Sequence, residues 1–451
     1  MTSNQKNILI DGYNLGLEKG TGVATYARNL SYEIHELGHK VSVLYGNRGS
    51  YNRDELLHEI AFFDGPVEQP RFLEIFERAK QAIRGPLSYS AKQVPITGKV
   101  VSRTFASRLP YFDAIYNSNE VFKNAQGAFW MWQRPVNIRM PEQPDLAHWT
   151  YPLPVAIKGR PNIYTMHDLV PLKLPYTTLD NKRRYLKLMR LLGRRADHIV
   201  TVSENSKRDL VELVGIPEEK ITNTYQSVQI PAKYRDKPEE QVAREVEGVT
   251  GFPHKGYFLF WGSLEPKKNI GRMIESYLAS QVETPLVIIG AQAWKAEREL
   301  ALLNEGRVEI WDNGSMAEIR GITGPERRRG ARKHIIRLDY VPFSLLVSLI
   351  RGAKAALFPS LYEGFGLPAL EAMLLGTPVI CSNTSSLPEV VGDAAMTVDP
   401  YDPQALTAAI RAIDADGGLR EDLARRGMVQ AAEYSPANYR DRLQAVYSRF
   451  L

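Results

Sequence analysis

The sequence predicts an α/β fold made of two Rossmann-like, doubly wound halves. In each half, apolar strands alternate with helical patterns, which is typical of βαβ units. The chain has 451 residues, 44% of them hydrophobic, which is enough for two domains of about 200 residues each. We predict an N-terminal domain at 1–232, a linker region at 233–253, a second domain at 254–434 and a final helix at 435–451.

The first half starts as a regular βαβ unit. The strand NILID is followed by a helix from about Gly22 to Gly38 and by the strand KVSVLYG. From about Asn47 to Asp145 the pattern is irregular, and we expect helices and long loops there. This stretch includes the aromatic cluster Phe129–Gln133. Regularity returns with the strand PNIYTM, a basic helix near Asn181–Arg195 and the segment DHIVTVSENSKRDLVELVG.

The linker is predicted from Lys233–Gln241, which is polar and charged, contains a proline and shows no apolar period. A second βα series follows it. Its predicted strands are YFLFWG, PLVIIG, HIIRLDYV, AALFPS, TPVICS and AAMTVDP. The last segment, PANYRDRLQAVYSRFL, predicts a helix.

Charge and cysteine content exclude several kinds of protein. The formal charge of +6 is mild, and no basic run carries the interleaved aromatic residues of a nucleic-acid module. Cys381 is the single cysteine, which excludes an internal disulfide and a thiolate metal site, so we expect it to pack. No signal peptide is visible, and no apolar run approaches the ~18 residues that a bilayer span needs. We expect a cytoplasmic protein that at most rests on a membrane.

Two segments are compatible with a membrane contact, and each also has a second interpretation. The basic helix near Asn181–Arg195 mixes cations with leucines, as a helix on anionic lipid does, or as a solvated helix packed on its own domain does. The tryptophans of Phe129–Gln133 suit a membrane interface or a core.

The most informative segment is Pro359–Glu371, PSLYEGFGLPALE. A short apolar strand precedes it, and a helix opened by Pro368 follows. Gly364 and Gly366 allow close backbone approach, so the amides of Gly364, Phe365, Gly366 and Leu367 and the positive end of the helix predict a diphosphate site. The carboxylate of Glu371, one turn inside the helix, suits the diol of a ribose.

Three further places fall at predicted strand ends or helix starts, where ligands bind in open α/β sheets. Lys267 and Lys268 follow YFLFWG, and at least one of them can meet a phosphate. His167 ends NIYTM beside Asp168, and His148 is expected either near it or as a packed polar residue. Gly20 and Gly22 stand at the start of a helix. Taken singly, these are ordinarily solvated lysines, a local hydrogen-bonded pair and a helix start.

Glu363 and Glu371 form an E-x7-E pattern that resembles the signature of retaining glycosyltransferases with the GT-B fold, specifically glycosyltransferase family 4. The resemblance implies two Rossmann-like domains facing across a cleft, with the final helix, 435–451, crossing back to the N-terminal domain. The C-terminal one would bind a nucleotide diphospho-sugar, whose sugar is transferred with retention of configuration and without a metal or other cofactor. We find no HExxH, no paired cysteines and no DxD between strands.

The resemblance also assigns roles. Lys268 matches the lysine that meets the departing diphosphate, while Ser263 stands where many relatives carry arginine. Lys267, or a basic residue of 327–333, is the candidate to compensate. Gly22 and His167 match elements that face the catalytic cleft, and His167 is expected on the donor sugar.

The resemblance further places the contact to the base on the backbone around Tyr340 and Val341. For Glu363, an orienting role and a nucleophilic role both stay open. We favour the orienting role in a same-face reaction, where the leaving phosphate takes the acceptor's proton.

GDP-mannose is the leading donor, because the SSLPEVVGDAA context resembles bacterial mannosyltransferases of exopolysaccharide or O-antigen assembly. UDP-hexoses, GDP-fucose and dTDP-rhamnose remain open. The expected acceptor is a saccharide linked to lipid diphosphate, which fits peripheral membrane contact. Two other classes are weighed against this function: a dinucleotide-dependent oxidoreductase, which the missing G-x-G-x-x-G disfavours, and a catalytically silent sugar-binding scaffold.

Overall fold

The computed structural model describes residues 5–15, 22–47, 54–63, 89–99, 109–291, 299, 309–311 and 334–451. The chain divides into two compact units. Unit 1 consists of Met1–Leu169, Asp180–Ser227 and Pro436–Leu451, and unit 2 of Val170–Leu179 and Val228–Ser435. Each is built around a largely parallel sheet with helices between its strands, which confirms the predicted fold class.

Within the described residues, unit 1 has an eight-stranded sheet in the order β11-β10-β9-β7-β1-β2-β5-β4. Its pairings are parallel except that of β4 with β5. Strands β3, β6 and β8 form a small separate sheet. The strands are β1 Asn7–Asp11, β2 Lys40–Tyr45, β3 Tyr89–Ser90, β4 Lys92–Val94, β5 Ala114–Asn117, β6 Val136–Arg139, β7 Leu146–Trp149, β8 Val155–Ala156, β9 Asn162–Thr165, β10 His198–Thr201 and β11 Ile221–Asn223.

The helices of unit 1 lie between these strands, and the last one closes the chain. Their bounds are Gly22–Glu36, Glu55–Phe63, Val121–Trp132, Lys182–Arg195, Glu204–Asp209 with a π-helical continuation at Leu210–Val214, the 3₁₀ turn Glu218–Lys220, and Pro436–Tyr447. Strands β1, β7, β9 and β10 are buried along their whole length. That pattern is typical of parallel strands covered on both faces.

Unit 2 has, in the described part, a seven-stranded parallel sheet in the order β14-β15-β13-β12-β16-β17-β18. Its strands are β12 Phe258–Trp261, β13 Leu286–Ile289, β14 Glu309–Trp311, β15 His334–Leu338, β16 Ala355–Phe358, β17 Val379–Ser382 and β18 Met396–Val398. Its helices are Val170–Lys173, Ala232–Arg235, Glu239–Thr250, the 3₁₀ turn Pro266–Lys268, Ile270–Ser280, Phe343–Arg351, Leu367–Leu374, Leu387–Val391, Pro403–Ala415 and Gly417–Ala432.

The linker prediction for 233–253 is wrong. This stretch contains the helices Ala232–Arg235 and Glu239–Thr250, and it belongs to unit 2, which starts again at Val228. Val242 and Val246 are fully buried, and Lys237 Nζ lies 2.6 Å from Glu245 Oε2 and 3.0 Å from Ser348 Oγ. Prediction failed because Ala232–Arg235 buries no side chain and Glu239–Thr250 buries only Val242, Val246 and Thr250, too few to show as an apolar period.

The expectation of helices and loops for 47–145 needs a similar correction. The described part of that stretch also holds β3, β4, β5 and β6, each of two to four residues. Strands this short show no alternation that could be read from sequence. Cys381 packs as expected: it is fully buried in β17, and burial raises the pKa of its thiol to about 12.

None of the helices in the described ranges is long and apolar enough to cross a bilayer.

Candidate active site

The sheet of unit 2 reverses its winding between two neighbouring strands. Strand β12 pairs with β13 on one side and with β16 on the other, both in parallel. After β12 the chain therefore adds β13, β14 and β15 on one side of β12. It then crosses to the other side of β12 to form β16. In open α/β sheets, ligands bind at such a switch point, beyond the carboxyl ends of the strands. The segments Gly262–Asn269 and Pro359–Gly366 leave the sheet there.

Lys268 and Glu363 meet at this switch point. Lys268 Nζ lies 2.6 Å from Glu363 Oε1, and the two side chains are only 12% and 11% exposed. Ser360 Oγ donates a 2.7 Å hydrogen bond to the same oxygen. Burial by itself would raise the pKa of Glu363, but the charges of Lys268 and Lys267 and these two bonds hold it below its ordinary value. Glu363 is therefore a carboxylate at neutral pH.

Asn269 holds the loop Gly262–Asn269, hereafter the lysine loop, against the loop Pro359–Gly366, hereafter the glutamate loop. Its backbone is left-handed, at φ 58°, a conformation that asparagine adopts more readily than most residues. Its buried amide donates to Pro359 O at 3.0 Å and to Pro400 O at 2.8 Å. A backbone bond of 2.8 Å from Leu361 N to Lys267 O adds a second tie between the two loops. These bonds fix Lys268 beside Glu363.

The loop after β17 supports the glutamate loop from its other side. Ser385 Oγ accepts a 3.0 Å hydrogen bond from Glu363 N. The buried Ser386 hydroxyl lies 2.9 Å from Glu363 O and 2.7 Å from Phe365 O, and it donates to one of them at a time. The turn that carries Gly364 is thus held by side-chain hydroxyls.

The helix Leu367–Leu374, hereafter the motif helix, begins at a turn that requires glycine. Gly366 has φ 116°, and a Cβ there would lie 2.7 Å from Leu387 Cδ2. Pro368, which has no N–H to donate, occupies the first turn, and the side chain of no N-cap residue bonds to the helix start at Gly366. Glu371 Oε2 accepts a 3.1 Å hydrogen bond from Trp261 Nε1, and burial raises the pKa of Glu371 to about 7.

Lys267 has a different environment from Lys268. Its Nζ is 3.6 Å from Glu265 Oε1, which also accepts a 3.2 Å bond from Ser263 Oγ. Lys267 contributes to the lowered pKa of Glu363, so its charge reaches the switch point. It is the described candidate to replace the arginine charge that Ser263 lacks. The other candidate, the basic cluster at 327–333, lies outside the described residues.

Val341 lies in the loop after β15, on the same carboxyl edge of the sheet. Two strands, β13 and β12, separate β15 from β16. Val341 is half-buried, and the neighbouring Tyr340 is 70% exposed. An exposed position at this edge is compatible with a ligand contact through the backbone.

Unit 1 has its own cluster at strand carboxyl ends. Asp11, at the end of β1, is fully buried and accepts hydrogen bonds from Thr150 N and, at 3.1 Å, from Thr150 Oγ1. Burial raises the pKa of Asp11 to about 6 against the lowering effect of these bonds. Asp11 is the last residue of β1, and Thr150 directly follows β7. These two strands are neighbours, and the sheet's winding also reverses at β1.

His167 is oriented by this cluster. Its Nε2 lies 2.9 Å from Thr150 O, and Ser206 Oγ donates a 2.7 Å bond to His167 O. Burial lowers the pKa of His167, so the ring is neutral at pH 7. Because a carbonyl only accepts, Nε2 carries the proton, and Nδ1 is the acceptor atom. The ring of Tyr26, from the helix that Gly22 opens, meets the imidazole edge-on at 4.8 Å.

The structure therefore brings several predicted residues together. In unit 2, Lys268, Glu363 and the Gly364–Leu367 turn share one switch point, with Glu371 in the next helical turn. In unit 1, His167 lies against the helix that begins at the exposed Gly22, while Gly20 falls outside the described residues. His148 is a packed core residue, bonded to Tyr447 and Thr165.

The side chains that hold the two clusters were not predicted from the sequence; they are Trp261, Asn269, Ser360, Ser385, Ser386, Asp11 and Thr150. Of these, Asn269 had a usable signal, an asparagine directly after the lysine at a loop-to-helix boundary. Within the part of the chain that is described, no group of three or more His, Cys, Asp or Glu side chains could hold a metal ion.

Two family models match the chain. Residues 100–228 match Glycosyltransferase Family 4, and residues 326–429 match Glycosyl transferases group 1. The second match contains the glutamate loop and the motif helix, and the first contains His167.

Similar proteins are found among bacterial mannosyltransferases. The O-antigen chain mannosyltransferase B of Escherichia coli is 32% identical over 281 residues, 61% of this chain and 67% of that protein. The serotype-specific mannosyltransferase WbdA of Escherichia coli is 27% identical over 276 residues, 60% of this chain and 31% of that protein. The chain thus matches about a third of WbdA's length.

Solved structures share the fold across nearly the whole chain. Sucrose-phosphate synthase from Thermosynechococcus elongatus superimposes with a TM-score of 0.63 at 16% identity, covering 99% of both chains. WaaG, a glycosyltransferase involved in lipopolysaccharide biosynthesis, gives 0.57 at 14% identity, covering 97% of this chain and 99% of its own. The family models, the relatives and the two Rossmann-like sheets agree: this chain is a GT-B glycosyltransferase that belongs to glycosyltransferase family 4.

Proposed function

We propose that this glycosyltransferase moves mannose from GDP-mannose to a saccharide acceptor linked to lipid diphosphate, with retention of configuration and without a metal, in bacterial surface polysaccharide assembly. The observation that carries the proposal is the Lys268–Glu363 pair beside the Gly364–Leu367 turn. The similarity to O-antigen mannosyltransferases supports mannose as the sugar.

In this proposal, departure of the diphosphate is assisted by groups of the chain itself. The bond from sugar C1 to the diphosphate oxygen breaks, and negative charge develops on that oxygen. The Lys268 ammonium and the first amides of the motif helix stabilise this charge. A preorganised donor of this kind typically contributes about 10²–10³ in turnover, and the charge of Lys267 adds to that of Lys268 at the switch point.

Glu363 would orient the sugar. The described side chains that bind its carboxylate, Lys268 and Ser360, both bind Oε1, which leaves Oε2 for a sugar hydroxyl. The acceptor oxygen then forms its bond to C1 on the face that the diphosphate leaves, and its proton passes to the departing phosphate oxygen. Glu371 would hold the ribose hydroxyls. We propose His167 for the donor sugar, with Nδ1 accepting from a hydroxyl.

The test is product formation from GDP-mannose and a mannose-terminated acceptor. We expect release of GDP and, by nuclear magnetic resonance, an α-linked product from the α-linked donor. Lys268→Met should lower kcat by about 10²–10³ with a smaller change in KM. Lys267→Met, the matched control, should lose less, because its ammonium is shared with Glu265.

Other outcomes would contradict separate parts of the proposal. Turnover of UDP-glucose or dTDP-rhamnose in place of GDP-mannose would reject the donor. A β-linked product would reject retention, and full activity of Lys268→Met would reject the role of the lysine.

A further inference from the structure

Glu371 has fewer hydrogen-bond partners than the buried carboxyl groups of Glu363 and Asp11. In the part of the chain that the structure describes, one side chain bonds to its carboxyl group, the indole of Trp261, whose Nε1 lies 3.1 Å from Oε2. Glu363 instead has an ammonium and a hydroxyl on one oxygen, and Asp11 has both donors of Thr150. Within the same described ranges, Oε1 of Glu371 has no partner.

Such a carboxyl group is costly to bury. Burial raises the pKa of Glu371 to about 7, and among the described side chains the indole bond opposes that rise while no charged group contributes. A buried polar group whose bonding capacity is unused calls for a specific reason, and a carboxylate has about four positions for hydrogen-bond donors. Glu371 therefore has spare acceptor positions that a ligand with hydroxyl groups can fill.

Trp261 is held rigidly on the other side of this contact. It is the last residue of β12, where it pairs with Ile289, and the following amide, Gly262 N, donates a 2.9 Å bond to Ile289 O. The side chain is 5% exposed, and its ring meets that of Phe358 edge-on at 4.8 Å. The direction of the indole N–H is thus fixed by the sheet and by a neighbouring ring.

A fixed neutral donor has two effects on the carboxyl group. The last side-chain torsion of a glutamate is broad, so a bond to Oε2 selects one orientation of the carboxyl plane and leaves Oε1 on the other side. The indole N–H only donates, so it does not compete for the protons of ligand hydroxyls. It also adds no positive charge, unlike the lysine beside Glu363. The negative charge of Glu371 stays available for a ligand.

We propose that Trp261 is a positioning residue for nucleotide binding, whose N–H orients the Glu371 carboxylate so that Oε1 accepts from the ribose hydroxyls. This role rests on the ribose contact of Glu371 proposed above and adds the group that sets its geometry. Trp261 acts through Glu371 and touches no substrate. Loss of its N–H therefore weakens recognition of the two hydroxyls and leaves recognition of the base and the diphosphate unchanged.

The test compares GDP with dideoxy-GDP, which lacks both ribose hydroxyls, by calorimetry on the full chain at pH 8, where Glu371 is a carboxylate. The unmodified chain should prefer GDP by about 10- to 150-fold, because hydrogen bonds to a charged acceptor are strong. Trp261→Phe keeps an aromatic ring and removes the N–H. It should weaken GDP binding by about 2- to 13-fold and leave dideoxy-GDP binding unchanged.

Two further variants separate positioning from packing. Adding Trp261→Phe to Glu371→Gln should weaken GDP binding no further than Glu371→Gln alone, because both changes remove one contact. The matched control Phe358→Leu takes away the ring that Trp261 packs on and leaves the N–H in place. It should lower the melting temperature and keep the preference for GDP. Melting temperatures of all variants establish that they fold.

The contact can also be observed without a nucleotide. The indole N–H resonance of Trp261 is the one missing from the nuclear magnetic resonance spectrum of Trp261→Phe. In the unmodified chain it should move with pH, with a midpoint near the pKa of Glu371, about 7. In Glu371→Gln it should not move, since the amide does not titrate.

UDP and dideoxy-UDP are measured alongside, because both nucleotides contain the same ribose. Binding of UDP in place of GDP would reject the donor proposed above, and the role of Trp261 is then judged from the UDP pair. Equal affinity for both compounds of a pair in the unmodified chain would reject the ribose contact of Glu371 and, with it, the role of Trp261.

Other results would overturn the role of Trp261 alone. One is a preference for the ribose hydroxyls that Glu371→Gln loses and Trp261→Phe keeps. Others are equal weakening of both compounds by Trp261→Phe, loss of the preference in Phe358→Leu, and an indole resonance that stays constant with pH.

Discussion

Two carboxyl groups eight residues apart illustrate how surroundings set the role of a residue. The pKa of Glu363 is lowered because Lys268, Lys267 and Ser360 overcome the effect of burial. Burial raises the pKa of Glu371 to about 7, opposed by one indole N–H. The two groups therefore differ in charge below neutral pH, although they lie in one motif. Pairs whose surroundings separate their pKa values are frequent in active sites.

Glu371→Gln should change how stability depends on pH. The pKa of Glu371 is about 7 in the folded chain against 4.5 for the free group, so the folded state binds the extra proton between these values. Its contribution is fully present below pH 4.5 and is lost as pH rises through about 7. Glutamine stays neutral, so the variant's melting temperature relative to the unmodified chain should rise from pH 5 to pH 8.

The exposed Glu247→Gln serves as the control and should show no such trend. Donor affinity of Glu371→Gln should fall at the same time, because an amide accepts fewer hydroxyl protons than a carboxylate. A melting-temperature difference that does not vary with pH would contradict the assigned burial of Glu371.

At the scale of elements, the site depends on loops that are tied to neighbouring strand ends. Asn269 links the loop after β12 to the loop after β16, and Ser386 links the latter to the loop after β17. Strands β12 and β13 also approach closely at Gly262 and Gly290. A Cβ at Gly290 would lie 1.8 Å from Gly262 O, a backbone atom that cannot move without displacing the lysine loop.

Gly290→Ala should therefore destabilise unit 2 and lower turnover together. Overpacking of this kind costs about 1–3 kcal/mol or more, which denaturant unfolding measures. The matched control is Gly248→Ala in the helix Glu239–Thr250, where a Cβ meets nothing within 4 Å. It should stabilise by about 0.5–1 kcal/mol. A Gly290→Ala variant as stable and active as the unmodified chain would disprove the close approach.

At the scale of the whole molecule, two segments belong to a different unit from the residues next to them in the sequence. Pro436–Leu451 follows the last helix of unit 2, yet it belongs to unit 1. Its Tyr447 hydroxyl lies 2.7 Å from His148 Nδ1 inside the unit, and Arg440 Nε lies 2.9 Å from Glu33 Oε2. Val170–Leu179 shows the reverse: it lies in the first half of the sequence, and Val170 and Leu174 pack with Tyr362 in unit 2.

Leu443→Ala tests this assignment. Leu443 is fully buried, and its truncation should cost about 2–5 kcal/mol. Hydrogen exchange should show the loss in strands of unit 1, such as Asn7–Asp11, and not in Phe258–Trp261 of unit 2. Gln444→Ala, exposed on the same helix, should change neither. Loss confined to unit 2 would overturn the membership.

Much of the fold was predictable because long buried strands and amphipathic helices carry periodic apolar patterns. Ten strands were predicted, NILID and AALFPS among them, because each carries such an apolar pattern or is closely bounded by turn residues. The two- to four-residue strands between Tyr89 and Arg139 and the helices of 233–253 were not predicted. Whether such a short segment forms a strand or a helix depends on the tertiary contacts that bury it. In the site, Lys268 and the two glutamates were found because their spacing resembles the family's motifs, whereas Asn269 and Ser386 act through bonds to distant backbone.

The sequence by itself determined the two Rossmann-like halves, the glutamate loop and the family, because these depend on local pattern and spacing. Tertiary structure alone decided that Lys268 and Glu363, 95 residues apart, form a contact, and that the two glutamates differ in pKa. The physical reason is the same in each case: burial and electrostatics depend on which groups the fold brings within a few ångströms, and sequence separation does not encode that distance.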